Sequence, residues 1–294
     1  MSEKRQKIAL VTGASSGIGF ATSIELAKRG YVVFAGARRL EPMAKLRDNY
    51  GVKIFKLDIT DPQSITEART YIQEQSGGSY LDILYNNAGQ ICTSSTTDVT
   101  DQDLEQTFEV NVLGAIRMVR EFVPLLINAK GVIGFTGSIA GFNPIPFQSI
   151  YNSSKAAIDS YAATLRIEMD PFGVKVINFV SGGVKTNIEG KSTLPASSLF
   201  NVPGMDEAYE EVRLVVSKND PMSPEVYAKQ VADDFEKAKL GGSFHLYRGK
   251  SGILLGFIGP LFPRWIREAM FVSSLKLKRP FEYLRKKYAS GITD

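Results

Sequence analysis

Residues 7–12 (KIALVT) are a short, β-rich apolar run that reads as a buried strand. The run passes directly into Gly13-Ala14-Ser15-Ser16-Gly17-Ile18-Gly19 and then into a helical pattern over residues 20–29, stopped at Gly30. A strand turning through glycines into a helix commits the chain to layers, because the helix must pack back on the sheet that holds the strand. The unit then recurs. Strands are expected at 31–36, 52–57, 81–85, 131–137 and 174–180, with helices at 41–49, from about 61, at 101–127 and at 150–169. A helix over 223–239 and an edge strand over 244–247 complete the pattern. This alternation predicts an α/β fold, a doubly wound parallel sheet with right-handed crossovers. Of the 294 residues 44% are hydrophobic and no Pro/Ser-rich linker interrupts the first 180, so residues 1–250 are expected to form one domain.

Glycines in such a turn let the backbone approach a pyrophosphate, whose charge is favoured by the helix terminus behind it. Gly13, Ser15, Ser16, Gly17, Ile18 and Gly19 are therefore candidate nucleotide contacts. The second strand ends in Ala37-Arg38-Arg39. An acidic residue there suits a ribose 2′-hydroxyl and an arginine a 2′-phosphate, so Arg38 and Arg39 favour NADPH over NADH. The plainer alternative is a solvated strand end. Asp58, followed by Ile59, either bonds an adenine amino group or caps the helix starting near Asp61-Pro62. The fourth strand ends in Asn86-Asn87-Ala88-Gly89, a polar turn at the edge where open parallel sheets bind ligands.

Ser138 stands at the carboxyl end of the fifth strand. Tyr151 follows thirteen residues later and Lys155 four after that, one turn further along the same helix face. Free tyrosine titrates near ~10. A neighbouring ammonium favours its phenolate, leaving Ser138 to bond a substrate oxygen while Tyr151 exchanges a proton with it. Asn111 interrupts an apolar helix face, which suits a kink or a polar network. Cys92 is the only cysteine and His245 the only histidine, so a disulfide framework, a catalytic metal and a Ser-His-Asp triad are not expected. Residues 13–17 also match the Gly-x-Ser-x-Gly elbow of lipases. A hydrolase using Ser15 would have only His245 as its base, and the first βα turn is a poor place for an elbow, so the match reads as accidental.

In order and spacing, Thr12-Gly13-x-x-x-Gly17-Ile18-Gly19, Asn86-Asn87-Ala88-Gly89, Asn111, Ser138 and Tyr151-x-x-x-Lys155 resemble the classical short-chain dehydrogenase/reductase family, over residues 7 to about 186. The resemblance implies a Rossmann-type oxidoreductase that uses NAD(P)(H). It implies Tyr151 as the acid/base, Ser138 orienting the carbonyl, Lys155 holding the nicotinamide ribose and lowering the tyrosine pKa, and Asn111 supporting a water-linked proton relay. It further implies that Val184 and Thr186 contact the nicotinamide carboxamide. The chain departs from the family where Ser181-Gly182-Gly183 replaces the usual Pro-Gly, and a looser backbone is expected there. Residues 37–43, 85–90, 182–184 and 247–249 carry a narrower likeness, to the fungal 1-acyldihydroxyacetone-phosphate reductases. That likeness implies NADPH-dependent reduction of a lipid-derived ketone at the cytosolic face of the endoplasmic reticulum or on lipid droplets. Steroid, retinoid and polyketide ketones are the alternative substrates.

Residues 187–222 are the expected substrate lid, a loop long enough to be functional. Lys185, Lys191 and Arg213 are candidate partners for a substrate phosphate. Residues 251–294 then carry a net charge of +5, against −1 for everything before them. They begin with twelve uncharged residues, 252–263, followed by Arg264-Trp265-Ile266-Arg267 and a basic run over 276–287. Twelve apolar residues with two prolines are too short to span a bilayer. They suit lying in the interface of an anionic membrane or droplet, with covering the pocket or joining subunits as alternatives. Residues 1–7 carry no signal-peptide core. Nucleic acid is not an expected partner, and a homo-oligomer is left open.

Overall fold

The computed structural model describes residues 5–186, 193–289 and 291. Seven strands, β1 (Ile8–Thr12), β2 (Val32–Ala37), β3 (Lys53–Lys56), β4 (Ile83–Asn86), β5 (Val132–Ser138), β6 (Lys175–Ser181) and β7 (His245–Arg248), form one sheet. Every pairing is parallel and the order is β3-β2-β1-β4-β5-β6-β7. The order reverses direction at β1, so the turns after β1 and β4 separate and leave a crevice at their carboxyl ends.

The strands are apolar on both faces because both faces are covered. One face packs against α3 (Pro62–Ser76), α5 (Ala115–Ala129) and α6 (Ser149–Met169) through Ile65, Ile72, Met118, Phe122, Ile158 and Leu165. The other packs against α1 (Gly17–Lys28), α2 (Ala44–Tyr50) and α8 (Pro224–Lys237) through Leu26, Leu46, Tyr227, Val231 and Phe235. The expected elements agree in kind and differ at their ends by at most three residues. One expectation is corrected. The helix expected at 101–127 is α4 (Asp101–Phe108) and α5 joined by a π-helical turn, Glu109–Gly114, with Asn111 inside it.

A third apolar cluster lies beyond the sheet. Helix α7 (Met205–Arg213), within the expected lid, buries Met205, Ala208, Tyr209 and Val212 against Ala140, Ile145 and Phe147. Phe271, Leu275 and Leu277 from the tail complete the cluster. The tail continues from β7 through a π turn (Leu254–Ile258) and a 3₁₀ turn (Gly259–Leu261) into α9 (Arg264–Ser274) and α10 (Lys278–Lys287).

Candidate active site

A cleft of about 870 Å³ runs along the carboxyl edge of the sheet. Its first end is built on β1, β2 and β3. Gly13 takes a left-handed φ of 65°, and a Cβ there would fall 2.7 Å from the Ala88 Cα. At Gly19 a Cβ would fall 2.6 Å from the Gly13 carbonyl oxygen, so only glycine permits the turn. Ser16 occupies the N-cap of α1, yet its side chain accepts no backbone N–H. The first-turn N–H groups and the positive end of α1 therefore stay available to the cleft, which Ser15, Ser16, Gly17 and Ile18 line.

Arg38 and Arg39 are exposed where β2 ends, line the same cleft and form no ion pair among the described residues. Asp58 accepts from the Thr60 N–H at 3.0 Å and the Thr60 hydroxyl at 2.7 Å. The cap of α3 is Asp61, whose carboxylate accepts from the Gln63 N–H at 2.9 Å, which removes the capping alternative for Asp58. Burial raises the Asp58 carboxyl, but the Thr60 bonds and the charges of Arg38 and Lys56 outweigh it and hold the group below its usual range. Ile59 is buried beneath Gly114 and lines the cleft. Asn87 donates to the Thr12 carbonyl at 2.9 Å, while the Thr12 hydroxyl accepts the N–H groups of Asn87 and Ala88, both at 3.0 Å. Glycine cradle, uncapped helix terminus, two guanidiniums and Asp58 together fit an anionic dinucleotide.

The middle of the cleft holds the titratable groups. Ser138 ends β5, accepts from the Ala140 N–H at 3.1 Å and lies beside the Tyr151 phenol, both residues lining the cleft. Tyr151 lies in the first turn of α6 and Lys155 one turn on, with Nζ 5.7 Å from the centre of the tyrosine ring. Lys155 is only 7% exposed, donates to the Thr136 carbonyl at 2.8 Å and forms no ion pair with a carboxylate among the described residues. Burial lowers its pKa to about 8. Burial also pushes the Tyr151 phenol up, and the Ser138 hydroxyl opposes this only in part. The expected lowering of the tyrosine by the lysine is thus not met in the chain alone. The same low-dielectric pocket disfavours charge on both groups, and desolvation wins.

Asn111 combines both of its expected roles, a distorted helix and a polar network. Its Oδ1 accepts the Gln90 N–H at 2.8 Å, and its Nδ2 donates to the Gln90 carbonyl at 2.8 Å and the Ser154 hydroxyl at 3.0 Å. Ser154 in turn donates to the Tyr151 carbonyl at 2.8 Å. Gly89 is the spacer between the two side chains, since a Cβ there would lie 3.3 Å from the Asn111 Oδ1 and 3.6 Å from the Lys155 Nζ. A π turn re-aims one side chain without ending the helix, which is what this contact requires.

Val184 is buried, and Thr186 approaches the glycine turn, its Cγ2 3.0 Å from where a Gly17 Cβ would be. The backbone before them is held, not loose as expected. The N–H groups of Gly182 and Gly183 donate to the carbonyls of Arg248 and Lys250 at 2.8 and 2.9 Å, and the Gly183 carbonyl accepts from Lys250 and Met222. A Cβ on Gly182 would fall 2.0 Å from the Lys250 carbonyl oxygen, so the glycine at 182 is the consequence of this strap. Ser181 bonds the buried Tyr227 phenol, a contact no local pattern announces.

The far end of the cleft is walled by Ile139, Ala140, Ile145, Leu255, Phe271 and Leu275, with Arg213, Lys218 and Lys250 beside them. Arg213 is ion-paired with Glu210 at 2.7 Å. Lys185 is not among the lining residues, and Lys191 lies outside the described residues. The tail residues lining the cleft meet the alternative expectation that the tail covers the pocket, whereas Lys218 and Lys250 went unnoticed in the sequence because their approach depends on tertiary packing. Ser15 lies in the nucleotide end, whereas His245 bonds Asp159 at 2.7 Å and packs edge-to-face with Phe142, so the two do not meet.

A family profile described as short chain dehydrogenase matches residues 7–195. The NADPH-dependent 1-acyldihydroxyacetone phosphate reductase of Saccharomyces cerevisiae is 43% identical over 290 residues, 98% of this chain and 97% of that protein. The protein of the same name from Schizosaccharomyces pombe is 36% identical over 229 residues, 78% of this chain and 76% of the relative. Among solved structures, a short-chain dehydrogenase from Streptomyces avermitilis superposes with a TM-score of 0.76 at 26% identity, covering 94% of this chain and 98% of that one. By these matches the chain belongs to the short-chain dehydrogenase family and is a nicotinamide-dependent oxidoreductase.

Proposed function

We propose that this enzyme reduces the ketone of 1-acyldihydroxyacetone phosphate to the secondary alcohol of 1-acylglycerol 3-phosphate, using NADPH. The observation that carries the chemistry is that the Ser138 hydroxyl and the Tyr151 phenol adjoin in the cleft that also holds the dinucleotide-shaped cradle and the apolar wall. The substrate assignment is supported by the relative of that name that matches 98% of this chain, tail included. Arg38 and Arg39, exposed and without an ion pair among the described residues, support a preference for the cofactor bearing a 2′-phosphate. When bound, NADPH supplies the hydride that reduces the carbonyl carbon.

The chain's own residues handle the oxygen. A carbonyl oxygen placed between Ser138 and Tyr151 accepts a hydrogen bond from each, which draws off the negative charge developing on it. Tyr151 then delivers its proton, and its raised pKa keeps that proton in place at neutral pH. The Lys155 ammonium stabilises the phenolate left behind, and Asn111 ties the Gln90 backbone to Ser154 on that lysine's helix. Arg213, Lys218 and Lys250 are paired with Glu210, Glu211 and Asp220, partners that a substrate phosphate would displace, and the apolar wall takes the acyl chain. The setting that suits such a substrate is the cytosol-facing surface of the endoplasmic reticulum or a lipid droplet.

The test follows the absorbance of NADPH and of NADH with an acylated dihydroxyacetone phosphate. Tyr151→Phe is expected to lower kcat by at least about a hundredfold, the usual scale for a lost general acid. Arg38→Asp is expected to weaken NADPH far more than NADH. Equal use of both cofactors by the wild type would refute the role of Arg38, and inactivity toward this ketone would refute the substrate.

A further inference from the structure

Two properties meet in one part of the tail. Leu255, Phe271 and Leu275 face the cleft. On the outside of the same segment Leu261 is 74% and Trp265 69% exposed, with Ile253, Leu254 and Phe262 each more than half exposed. Met270 belongs to both groups, lining the cleft while 40% exposed, and so joins the outer apolar surface to the pocket. An apolar surface of this extent marks an interaction site. Its occupant follows from the charges around it. Arg264, Lys278, Arg279, Arg285, Lys286 and Lys287 are all exposed, in a segment whose net charge is +5. No helix among the described residues is long and apolar enough to cross a membrane. Exposed Trp, Leu and Phe in a segment rich in exposed cations, of which Arg264 is paired with Glu268, suit insertion to shallow depth among anionic headgroups.

We infer that residues 253–270 seat the enzyme on an anionic phospholipid surface with the far mouth of the cleft turned toward the lipid. An acylated ketone then passes from the lipid phase over Met270 into the pocket, with its chain never crossing water. The entry route rests on the lipid-ketone reading proposed above; the docking does not.

Trp265 is the only tryptophan in the chain, so its emission reports on this patch alone. With phosphatidylcholine vesicles containing phosphatidylserine, its emission is expected to shift to the blue and to be quenched by brominated acyl chains. The effect should be weaker with pure phosphatidylcholine and at high salt. The variant Leu254→Glu/Leu261→Glu keeps the reporter and alters no residue lining the cleft. It should bind the vesicles at least about tenfold more weakly, the factor that about 1.4 kcal/mol represents. Its rate on a long-chain acylated ketone phosphate carried in vesicles should fall by a similar factor, with its rate on a short, freely soluble ketone unchanged. An unshifted wild-type emission overturns the docking. A variant that loses vesicle binding but keeps the long-chain rate overturns the entry route. A variant that turns a dimer into a monomer while its vesicle binding is unaltered gives the patch to a second copy of the chain and overturns the inference. Wild type that docks yet reduces neither ketone leaves the docking standing and removes the proposed reaction.

Discussion

Lys155 shows at the scale of one residue how catalysis and stability oppose each other. Its ammonium sits in the interior without a carboxylate among the described residues, and its pKa falls from 10.5 to about 8. Between those values the unfolded chain binds a proton that the native chain does not, so stability from this group rises with pH from about 8 to about 10.5. Below about 8 the full penalty is present, on the order of 3 kcal/mol as an upper bound from a shift of that size. Lys155→Met is therefore expected to raise the melting temperature at pH 7 by a few degrees, to flatten the alkaline rise, and to abolish reduction. Calorimetry across pH 7–11 checks the sign: a variant no more stable than wild type at pH 7 would mean that the Thr136 bond already compensates the buried charge.

Among the elements, the strap between residues 181–184 and 248–252 separates what the sequence announces from what it hides. The seven strands and the glycine turn were legible because each is a local pattern: an apolar run, a glycine where the backbone turns left-handed, a helix after it. So were Tyr151 and Lys155, which share a face by helical spacing. The pinning of Gly182 was not legible, because its partner is a carbonyl 68 residues away. For the same reason Gly183 looked like slack, and Asn111 gave only a mid-helix anomaly until Gln90 and Ser154 stood beside it. Gly182→Ala is expected to cost about 1–3 kcal/mol, the usual range for overpacking. It should also weaken cofactor binding, measured by the fluorescence of bound NADPH, because Val184 and Thr186 follow directly. An alanine variant of wild-type stability and affinity would show that the strap yields without consequence.

For the whole molecule, the third cluster makes lid and tail one body. Phe271 touches both the cleft and the α7 side of that cluster, and Tyr209 anchors the body by donating to the Thr93 carbonyl at 2.7 Å. Phe271→Ala should cost about 3–5 kcal/mol locally. Since the two main sheet faces do not depend on it, the loss should appear as faster proteolysis within 193–222 and a raised KM for the ketone. NADPH affinity should be unchanged; a matching fall there would show that the clusters are coupled.

The strap also dictates when in its synthesis the enzyme becomes one. The glycine turn, Ser138 and Tyr151 leave the ribosome early, and their sheet can assemble through β6 while translation continues. Residues 248–252, which grip Gly182 and Gly183, emerge only after β7, and α9 later still. A nascent chain halted between β6 and β7 would thus own its acid, its serine and its phosphate cradle but neither a finished floor nor a roof. Competence should arrive abruptly, as residues 248–252 lock onto the end of the β6 strand that has waited for them.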